Sequence, residues 1–155
     1  ALYEQYLQRL SAATSNPEVY YRFVNAVPYF RDAALVDRTL TFALSPAVRS
    51  QDTGMLIAGL LARPWSRARA WAFVKAEWPA LTEKLGTFQG IPAIVAGTES
   101  FCSTASAAVV KAFFTAHPVP PAERGLWQSI EQIESCAALA SRQGGALTRW
   151  LAGSV

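Results

Sequence analysis

The sequence has too few metal-ligating and nucleophilic residues in any one region to build a catalytic centre. It contains one histidine, His117, and two cysteines, Cys102 and Cys136, that are far apart in the chain. A zinc site needs three or four converging ligands. No H-E-x-x-H, C-x-x-C or G-x-S-x-G motif and no phosphate-binding glycine-rich loop occurs. We therefore expect this chain to hold no metal or cofactor, and to catalyse no reaction alone.

Charged residues are also scarce, at 16% of the chain, and the net charge is only +3. A nucleic-acid surface normally needs a denser basic stripe, so we expect no nucleic acid partner. The longest apolar run, around residues 55–62, is far shorter than the roughly 18 residues that span a bilayer. We therefore expect no membrane partner. The first residues do not read as a signal peptide, and they begin inside a helical pattern, as a fragment would.

The two cysteines and the histidine are most simply interpreted as structural residues. Each cysteine lies among small or apolar residues, in "FCSTAS" and "IESCAALA", which favours two semi-buried small side chains. A disulfide between Cys102 and Cys136 stays open, because sequence does not give the geometry that such a bond requires. His117 precedes Pro118 at a predicted helix end, where it is typical of a C-terminal cap.

Apolar residues recur at spacings of three and four almost throughout, which predicts helices. No segment alternates with a period of two, so no sheet is predicted. The predicted helices cover residues 2–10, then begin at Asn16-Pro17, at Asp32, at Ser50 as N-cap, at Ser66 (running into the eighties), at Ile91, and at Ser103. Two further helices, one with Trp127, Ile130, Ile133 and Leu139 and one with Leu147, Trp150 and Leu151, are predicted on either side of Gly144-Gly145.

This succession of short helices predicts a single all-α domain over residues 1–155. Short helices in antiparallel pairs of roughly 35 to 40 residues are typical of HEAT- or armadillo-like α-α superhelices, and an irregular bundle is the alternative. Trp71, Val74, Trp78 and Leu81 share one predicted core face. The first helix carries many apolar residues for a terminal repeat, so we expect weak self-association through this helix.

The stretch "VRSQDTGMLIAGLL" offers the best candidate binding residues. Arg49, Gln51 and Asp52 lie at a predicted helix N-terminus, where backbone N–H groups and the helix dipole favour an anionic or carbonyl-bearing ligand. The structural alternative is that Ser50 caps the helix and that Asp52 complements its dipole. Capping accounts for most of these residue types, so it is the favoured interpretation.

Two motifs in this region carry a resemblance to a known family. "LSPAVRSQD", followed by an apolar helix, a basic turn and "AWAFVKAEWPAL", resembles the C-terminal helical domain of the gluzincin zinc aminopeptidases, such as the puromycin-sensitive and endoplasmic reticulum enzymes. "ESFCSTASAAVVKAFFTAHP" and "SIEQIESCAALASRQGGALTRWL" resemble later parts of that domain. The turn "ARPWSRARAW" departs from the family pattern, and Trp65 there is expected to pack on a neighbour outside the chain.

The resemblance implies that this chain is the C-terminal half of the family's C-terminal domain. Such a domain closes over and shapes the peptide-substrate chamber of a zinc aminopeptidase without supplying a zinc ligand. The implied partners are the peptide substrate and the catalytic and N-terminal domains of the same parent chain. The zinc is expected in the catalytic domain. Arg49, Gln51 and Asp52 would then border the chamber.

The alternative function is a free-standing helical-repeat module that binds a peptide or a partner protein. Alanine- and arginine-rich composition indicates a bacterial source, with a cytoplasmic or periplasmic location.

Overall fold

The computed structural model describes residues 1–13, 15–86 and 90–153, and it confirms the all-α prediction, with no strand in those ranges. The helices are α1 (Leu2–Ala12), α2 (Pro17–Ala26), α3 (Ala33–Leu44), α4 (Ser50–Leu61), α5 (Arg67–Ala76), α6 (Trp78–Leu85), α7 (Gly90–Gly97), α8 (Thr104–Ala116) and α9 (Glu123–Ala152). None of the described helices is both long and apolar enough to cross a membrane. The superhelical arrangement of helix pairs stays a prediction.

Three helix starts follow the capping residues that the sequence indicates. The Asn16 side chain accepts a hydrogen bond from the Val19 N–H, and Pro17 takes the first position of α2. The Asp32 carboxylate accepts from two backbone N–H groups at the start of α3. The Ser103 hydroxyl oxygen accepts from one backbone N–H group, that of Ser106, at the start of α8. These bonds satisfy N–H groups that have no acceptor within the helix.

Two predicted boundaries are wrong. The N-cap position of α4 is Arg49 in extended backbone conformation, and Ser50 is the first helical residue. The helix predicted to run from Ser66 into the eighties is divided at Glu77 into α5 and α6. Pro79 explains the division, because a proline inside a helix lacks the N–H that bonds to the preceding turn and its ring clashes with that turn.

The two predicted C-terminal helices form one continuous helix of 30 residues, so the expected break at Gly144-Gly145 is wrong. Glycine costs roughly 1 kcal/mol relative to alanine inside a helix, which weakens the helix without ending it. The Thr148 hydroxyl donates to the Gly144 carbonyl at 2.9 Å, one turn earlier in the same helix.

The core centres on α4, which packs most extensively on α7. Glycine allows the two backbones to meet. A Cβ atom on Gly54 would lie 2.3 Å from the Gly90 carbonyl oxygen, and one on Gly97 would lie 2.8 Å from the Ala58 Cα. Both distances are far inside van der Waals contact, so the α4–α7 crossing requires glycine at both positions.

Replacing Gly54 by alanine is expected to lower the free energy of unfolding by about 3 kcal/mol, because the added methyl group must push α7 away. Gly125→Ala is the matched control, since no atom lies within 4 Å of a Cβ at this helical position. That substitution should raise stability by about 0.5 to 1 kcal/mol. Urea denaturation of both variants measures the difference, and equal midpoints would contradict the close crossing.

The predicted core face of α5 and α6 is confirmed, whereas several apolar residues of α8 and α9 lie outside the core. Trp71, Val74, Trp78 and Leu81 are all buried. Several large apolar residues of these two helices are exposed: Val109 at 46%, Trp127 at 52%, Leu139 at 49%, Leu147 at 57%, Trp150 at 66% and Leu151 at 54%. The buried side of α9 consists of Leu126, Ser129, Ile130 and Ile133. Burial in α9 therefore ends near its middle.

Cys102 and Cys136 form a disulfide bond with a Cα–Cα distance of 5.1 Å. The favoured interpretation of two separate small side chains is therefore wrong. The bond joins the residue before Ser103, the cap of α8, to the turn of α9 that follows Ile133. Cys136 thus lies where α9 leaves the folded body.

Candidate functional site

The basic turn after α4 is used to complete that helix. The Arg63 guanidinium donates to the Gly59 carbonyl, and Arg67 donates to the carbonyls of Leu61 and Ala62. Cations at the C-terminal end also complement the helix dipole. Arg63 and Arg67, two cations of the basic turn, therefore contact backbone carbonyl oxygens of α4.

Hydroxyl groups add two further hydrogen bonds to carbonyls at this end of α4. The Ser66 hydroxyl donates to the Leu60 carbonyl at 2.6 Å. The Ser100 hydroxyl, which follows α7, donates to the Leu61 carbonyl at 3.0 Å. The last turn of α4 is therefore held by side chains from both the following turn and the segment after α7, which fixes the position of α4 in the domain.

The other end of α4 is held from α3 and α6. The Thr53 hydroxyl donates to the Ala43 carbonyl at 2.8 Å. The Lys84 ammonium donates to the carbonyls of Ser45 and Val48 at 2.8 and 2.9 Å, and burial lowers the pKa of Lys84. Arg49 and the first turn of α4 are thus anchored to α3 and to α6.

The three candidate residues lie together against two tyrosines of α2. The Arg49 guanidinium lies 4.8 Å from the centre of the Tyr20 ring. Asp52 is almost fully buried, and its Oδ2 and the Tyr20 hydroxyl complete no hydrogen bond of good geometry within the described chain. Burial, followed by the nearby Asp52 carboxylate, raises the pKa of Tyr20 to about 12. Tyr20 therefore stays protonated at neutral pH and can donate toward Asp52.

The Gln51 side chain is exposed, whereas that of Asp52 is buried. Its amide nitrogen donates to the Tyr21 hydroxyl at 3.2 Å. Gln51 is four residues before Met55, which places both on one side of α4. Because Asp52 is buried, Arg49 and Gln51 are the candidates that a ligand can reach.

A groove of about 640 Å³ runs along the side of α4 that carries Met55. Its floor and walls consist largely of small residues from α4 and α7, with α2 and the turn after it on the other side. The lining residues are Val24, Asn25, Pro28, Tyr29, Met55, Ala58, Gly59, Ala62, Arg63, Ala93, Ala96, Gly97 and Glu99. This volume lies within the range typical of ligand sites.

Polar and aromatic groups gather at the far end of the groove. The Arg63 guanidinium lies 3.7 Å from the centre of the Tyr29 ring, and Tyr29 is 62% exposed. Glu99 is exposed on the opposite wall. Trp65 lies nearby in sequence and packs within the chain under the Arg31 guanidinium, at 4.6 Å. The groove can therefore offer both a cation and a carboxylate to a ligand.

His117 is a helix cap, as the sequence predicts. Its Nδ1 lies 2.9 Å from the Phe113 carbonyl, and its ring stacks on the Phe113 ring at 4.5 Å. The described ranges contain no group of three potential metal ligands, and both cysteines are in the disulfide. The described residues therefore do not fit a zinc ion.

A comparison with protein families identifies the domain. The model of the ERAP1-like C-terminal domain matches residues 1–135. The chain belongs to the ERAP1-like C-terminal domain family. The resemblance to the C-terminal domain of gluzincin aminopeptidases is thereby confirmed.

Curated relatives of this ERAP1-like C-terminal domain are aminopeptidases. Aminopeptidase M1-B of Oryza sativa subsp. japonica is 28% identical over 132 residues, which are 84% of this chain and 15% of that protein. Aminopeptidase 2, mitochondrial, of Saccharomyces cerevisiae is 26% identical over 124 residues, which are 79% of this chain and 13% of that protein. The chain thus spans only a small part of these relatives.

The groove was not predicted from the sequence of this ERAP1-like C-terminal domain, although a signal for it exists. Ala58 and Gly59 on α4 with Ala62 directly after it, and Ala93, Ala96 and Gly97 on α7, recur at spacings of three and four. Small residues at this spacing let helices approach closely or leave a shallow channel between larger neighbours. Which of these two arrangements forms depends on the position of a third element, here α2. The spacing of residues in the sequence does not give that position.

Proposed function

We propose that this chain is part of a zinc-dependent aminopeptidase, in which its groove along α4 borders the peptide-substrate chamber. The observation that carries the proposal is the groove itself, open and lined by small residues in a domain of this family. Arg63 and Glu99 line the groove, and Gln51 lies one helical turn before the lining residue Met55. These groups suit the amide and charged groups of an extended peptide.

In this proposal the catalytic and N-terminal domains of the parent chain are the partners of this domain. The zinc is bound in the catalytic domain, and this chain shapes and closes the chamber. Arg49 and Gln51 are its proposed chamber residues, whereas Asp52 acts through its buried position beside Tyr20. The first observation to make is whether the encoding reading frame continues upstream into an H-E-x-x-H motif followed by a distant glutamate.

The proposal is tested by narrowing the groove in the parent enzyme. Ala96→Trp places a large side chain on an exposed groove position. We expect kcat/KM for peptides of eight or more residues, a length of about 25 Å or longer when extended, to fall roughly tenfold or more. Hydrolysis of a single-residue chromogenic amide should stay unchanged, because that substrate does not reach the groove.

Ala108→Trp, at an exposed position on α8 outside the groove lining, is the matched control and should leave both activities unchanged. Unchanged peptide hydrolysis in the Ala96→Trp variant would show that the groove does not border the chamber. If the reading frame contains no peptidase motif, the free-standing peptide-binding module becomes the better function. In that case Ala96→Trp should weaken peptide binding to the isolated chain.

Self-association through α1 would have little exposed apolar surface to use. Tyr3 and Leu10 are buried, and Leu2, 57% exposed, is the large apolar side chain that α1 leaves most open. Tyr6 packs on Phe23 and Phe30 at 5.2 and 5.4 Å. Any contact through α1 is therefore small and weak.

The disulfide bond is relevant to the cellular compartment in which the protein resides. Disulfides persist in oxidising compartments such as the bacterial periplasm and are rare in the cytosol. Of the two locations that the composition leaves open, the Cys102–Cys136 bond supports the periplasm. Thiol trapping in freshly lysed cells would show whether the bond is present in the source organism.

A further inference from the structure

A pocket separate from the groove opens between α6, the start of α7 and the loop that joins α8 to α9. Its volume is about 210 Å³, and it shares no lining residue with the groove. The walls are mostly apolar and include four prolines: Pro92, Pro118, Pro120 and Pro121. Because an apolar cavity of roughly 150 Å³ holds benzene, this pocket can take a substituted benzene ring or a small fused ring.

The pocket reaches from the surface of the domain into its core. The exposed lining residues are Gly86, Pro118, Pro120 and Pro121. The buried lining residues include Trp78, Ile91, Val119 and Ala122. A concave, mostly apolar site with a small number of polar groups is typical of small-molecule binding.

One wall of the pocket is the end of the aromatic cluster in the core. The Trp78 ring lies 5.2 Å from the Phe113 ring and 6.0 Å from the His117 ring. The His117 ring stacks on the Phe113 ring at 4.5 Å. Trp78 and His117 both line the pocket. Because aromatic rings attract one another in edge and offset-stacked arrangements, a ligand ring in the pocket would add one member to this cluster.

The polar side chains among the described lining residues offer mainly hydrogen-bond acceptors. The Nδ1 atom of His117 lies 2.9 Å from the Phe113 carbonyl oxygen, which only accepts, so Nδ1 carries a proton. In the neutral ring Nε2 then has no proton and accepts. The Thr82 hydroxyl donates to the Pro79 carbonyl at 2.8 Å, which leaves its oxygen as an acceptor for a ligand. Trp78 adds one indole N–H.

We propose that this pocket binds a small aromatic molecule of the indole or phenol class, which carries an N–H or O–H donor. The ligand ring packs between the prolines and the rings of Trp78 and His117, and its donor bonds to His117 Nε2. The apolar walls select the ring, and the acceptor selects the donor. This site does not depend on the proposed peptidase role, because the pocket lies outside the groove.

A bound ligand would connect three parts of the fold. It would contact α6 through Thr82, α7 through Pro92 and the following loop through His117. A ligand that binds the folded chain alone stabilises it by mass action, so the thermal midpoint should rise with ligand concentration. Because α7 packs most extensively on α4, the ligand would also hold α7 in its place against the core.

Isothermal titration calorimetry of the full 155-residue chain with indole tests the proposal. We expect a dissociation constant on the order of 0.1 to 1 mM, given the affinity that small ligands reach per atom. 1-Methylindole has the same rings without the N–H group, so it should bind about tenfold more weakly. N-acetyltryptophanamide represents a tryptophan side chain of a polypeptide, and it should also bind more weakly than indole.

Two variants assign the binding to this pocket. His117→Phe keeps a ring but removes the acceptor, so it should weaken indole binding about tenfold and leave 1-methylindole binding unchanged. The Phe113 carbonyl keeps its bond from the backbone N–H of residue 117 at 2.9 Å, so the end of α8 is retained. Thr82→Trp fills the pocket with an attached ring and should abolish binding of both ligands. Glu83→Trp, at an exposed neighbouring position outside the lining, is the matched control and should bind indole as the wild type does.

Circular dichroism and urea denaturation check that each variant is folded. Four results would overturn the proposal: no heat and no thermal shift at millimolar indole, equal affinity for indole and 1-methylindole, unchanged indole binding in His117→Phe, or indole binding that survives in a folded Thr82→Trp variant. Tighter binding of N-acetyltryptophanamide than of indole would assign the pocket to a side chain of a polypeptide, and would overturn the small-molecule assignment.

Discussion

Replacing Trp71 by alanine is expected to lower the free energy of unfolding by about 3 to 5 kcal/mol. Trp71 is 8% exposed. Its ring makes edge contacts with Phe101 and Phe113 at centroid distances of 5.9 and 5.3 Å, and a tilted contact with Phe114 at 6.1 Å. The substitution removes both the buried apolar area and these aromatic contacts, and α5 and α8 cannot close the resulting cavity without shifting.

Trp78→Ala should have an effect of similar size, because the Trp78 ring contacts the rings of Phe113 and Phe114 at centroid distances of 5.2 and 5.7 Å. Typical domains have a total stability of about 5 to 15 kcal/mol, so either variant should melt well below the wild type. Trp127→Ala is the control, since Trp127 is 52% exposed, and it should change stability by less than about 1 kcal/mol. An unchanged urea midpoint for Trp71→Ala would show that this cluster is not part of the core.

The features that the sequence predicts well are those decided within a few residues. Asn16 and Ser103 cap helices because their side chains reach the N–H group three residues ahead. The apolar face of Trp71 and Trp78 is also visible, because both recur at helical spacing with Val74 and Leu81. Local geometry alone determines these results.

The features that it predicts poorly depend on distant parts of the chain. Trp127 and Leu126 are neighbours at the edge of the same face, and the packing of α8 decides that Leu126 is buried while Trp127 lies outside, 5.4 Å from the Lys111 ammonium. The disulfide depends on α9 passing beside the loop before α8. The groove depends on where α2 lies. Apolar spacing identifies a face, but it does not identify what covers that face.

The candidate site also combines features decided by neighbouring residues with features decided by distant parts of the chain. The sequence places Arg49, Gln51 and Asp52 together because they are adjacent at one helix start. It does not show that Asp52 turns inward toward Tyr20 while Gln51 turns toward Tyr21, because the angle between α2 and α4 decides this. Arg63 and Glu99 come together across the groove from distant segments, so no short motif contains them both.

The second large effect is expected from removing the disulfide. The double variant Cys102→Ala and Cys136→Ala should unfold with a free energy about 3 to 4 kcal/mol lower than that of the oxidised wild type. The bond joins residues 34 positions apart, and closing a loop of this length removes that much conformational entropy from the unfolded chain. Because the bond also lies where α9 leaves the body, its loss should let the residues around Cys136 exchange amide hydrogens faster.

Urea denaturation separates this effect from a simple loss of packing. A cross-linked unfolded chain is more compact, so the double variant should show a steeper denaturant dependence as well as a lower midpoint. Wild-type protein under reducing conditions is the matched control, and it should reproduce both changes because the side chains remain while the bond is absent. Equal stability in oxidising and reducing buffer would mean that the bond does not constrain the unfolded chain. A loss confined to the double variant would instead assign the effect to the packing of the two side chains.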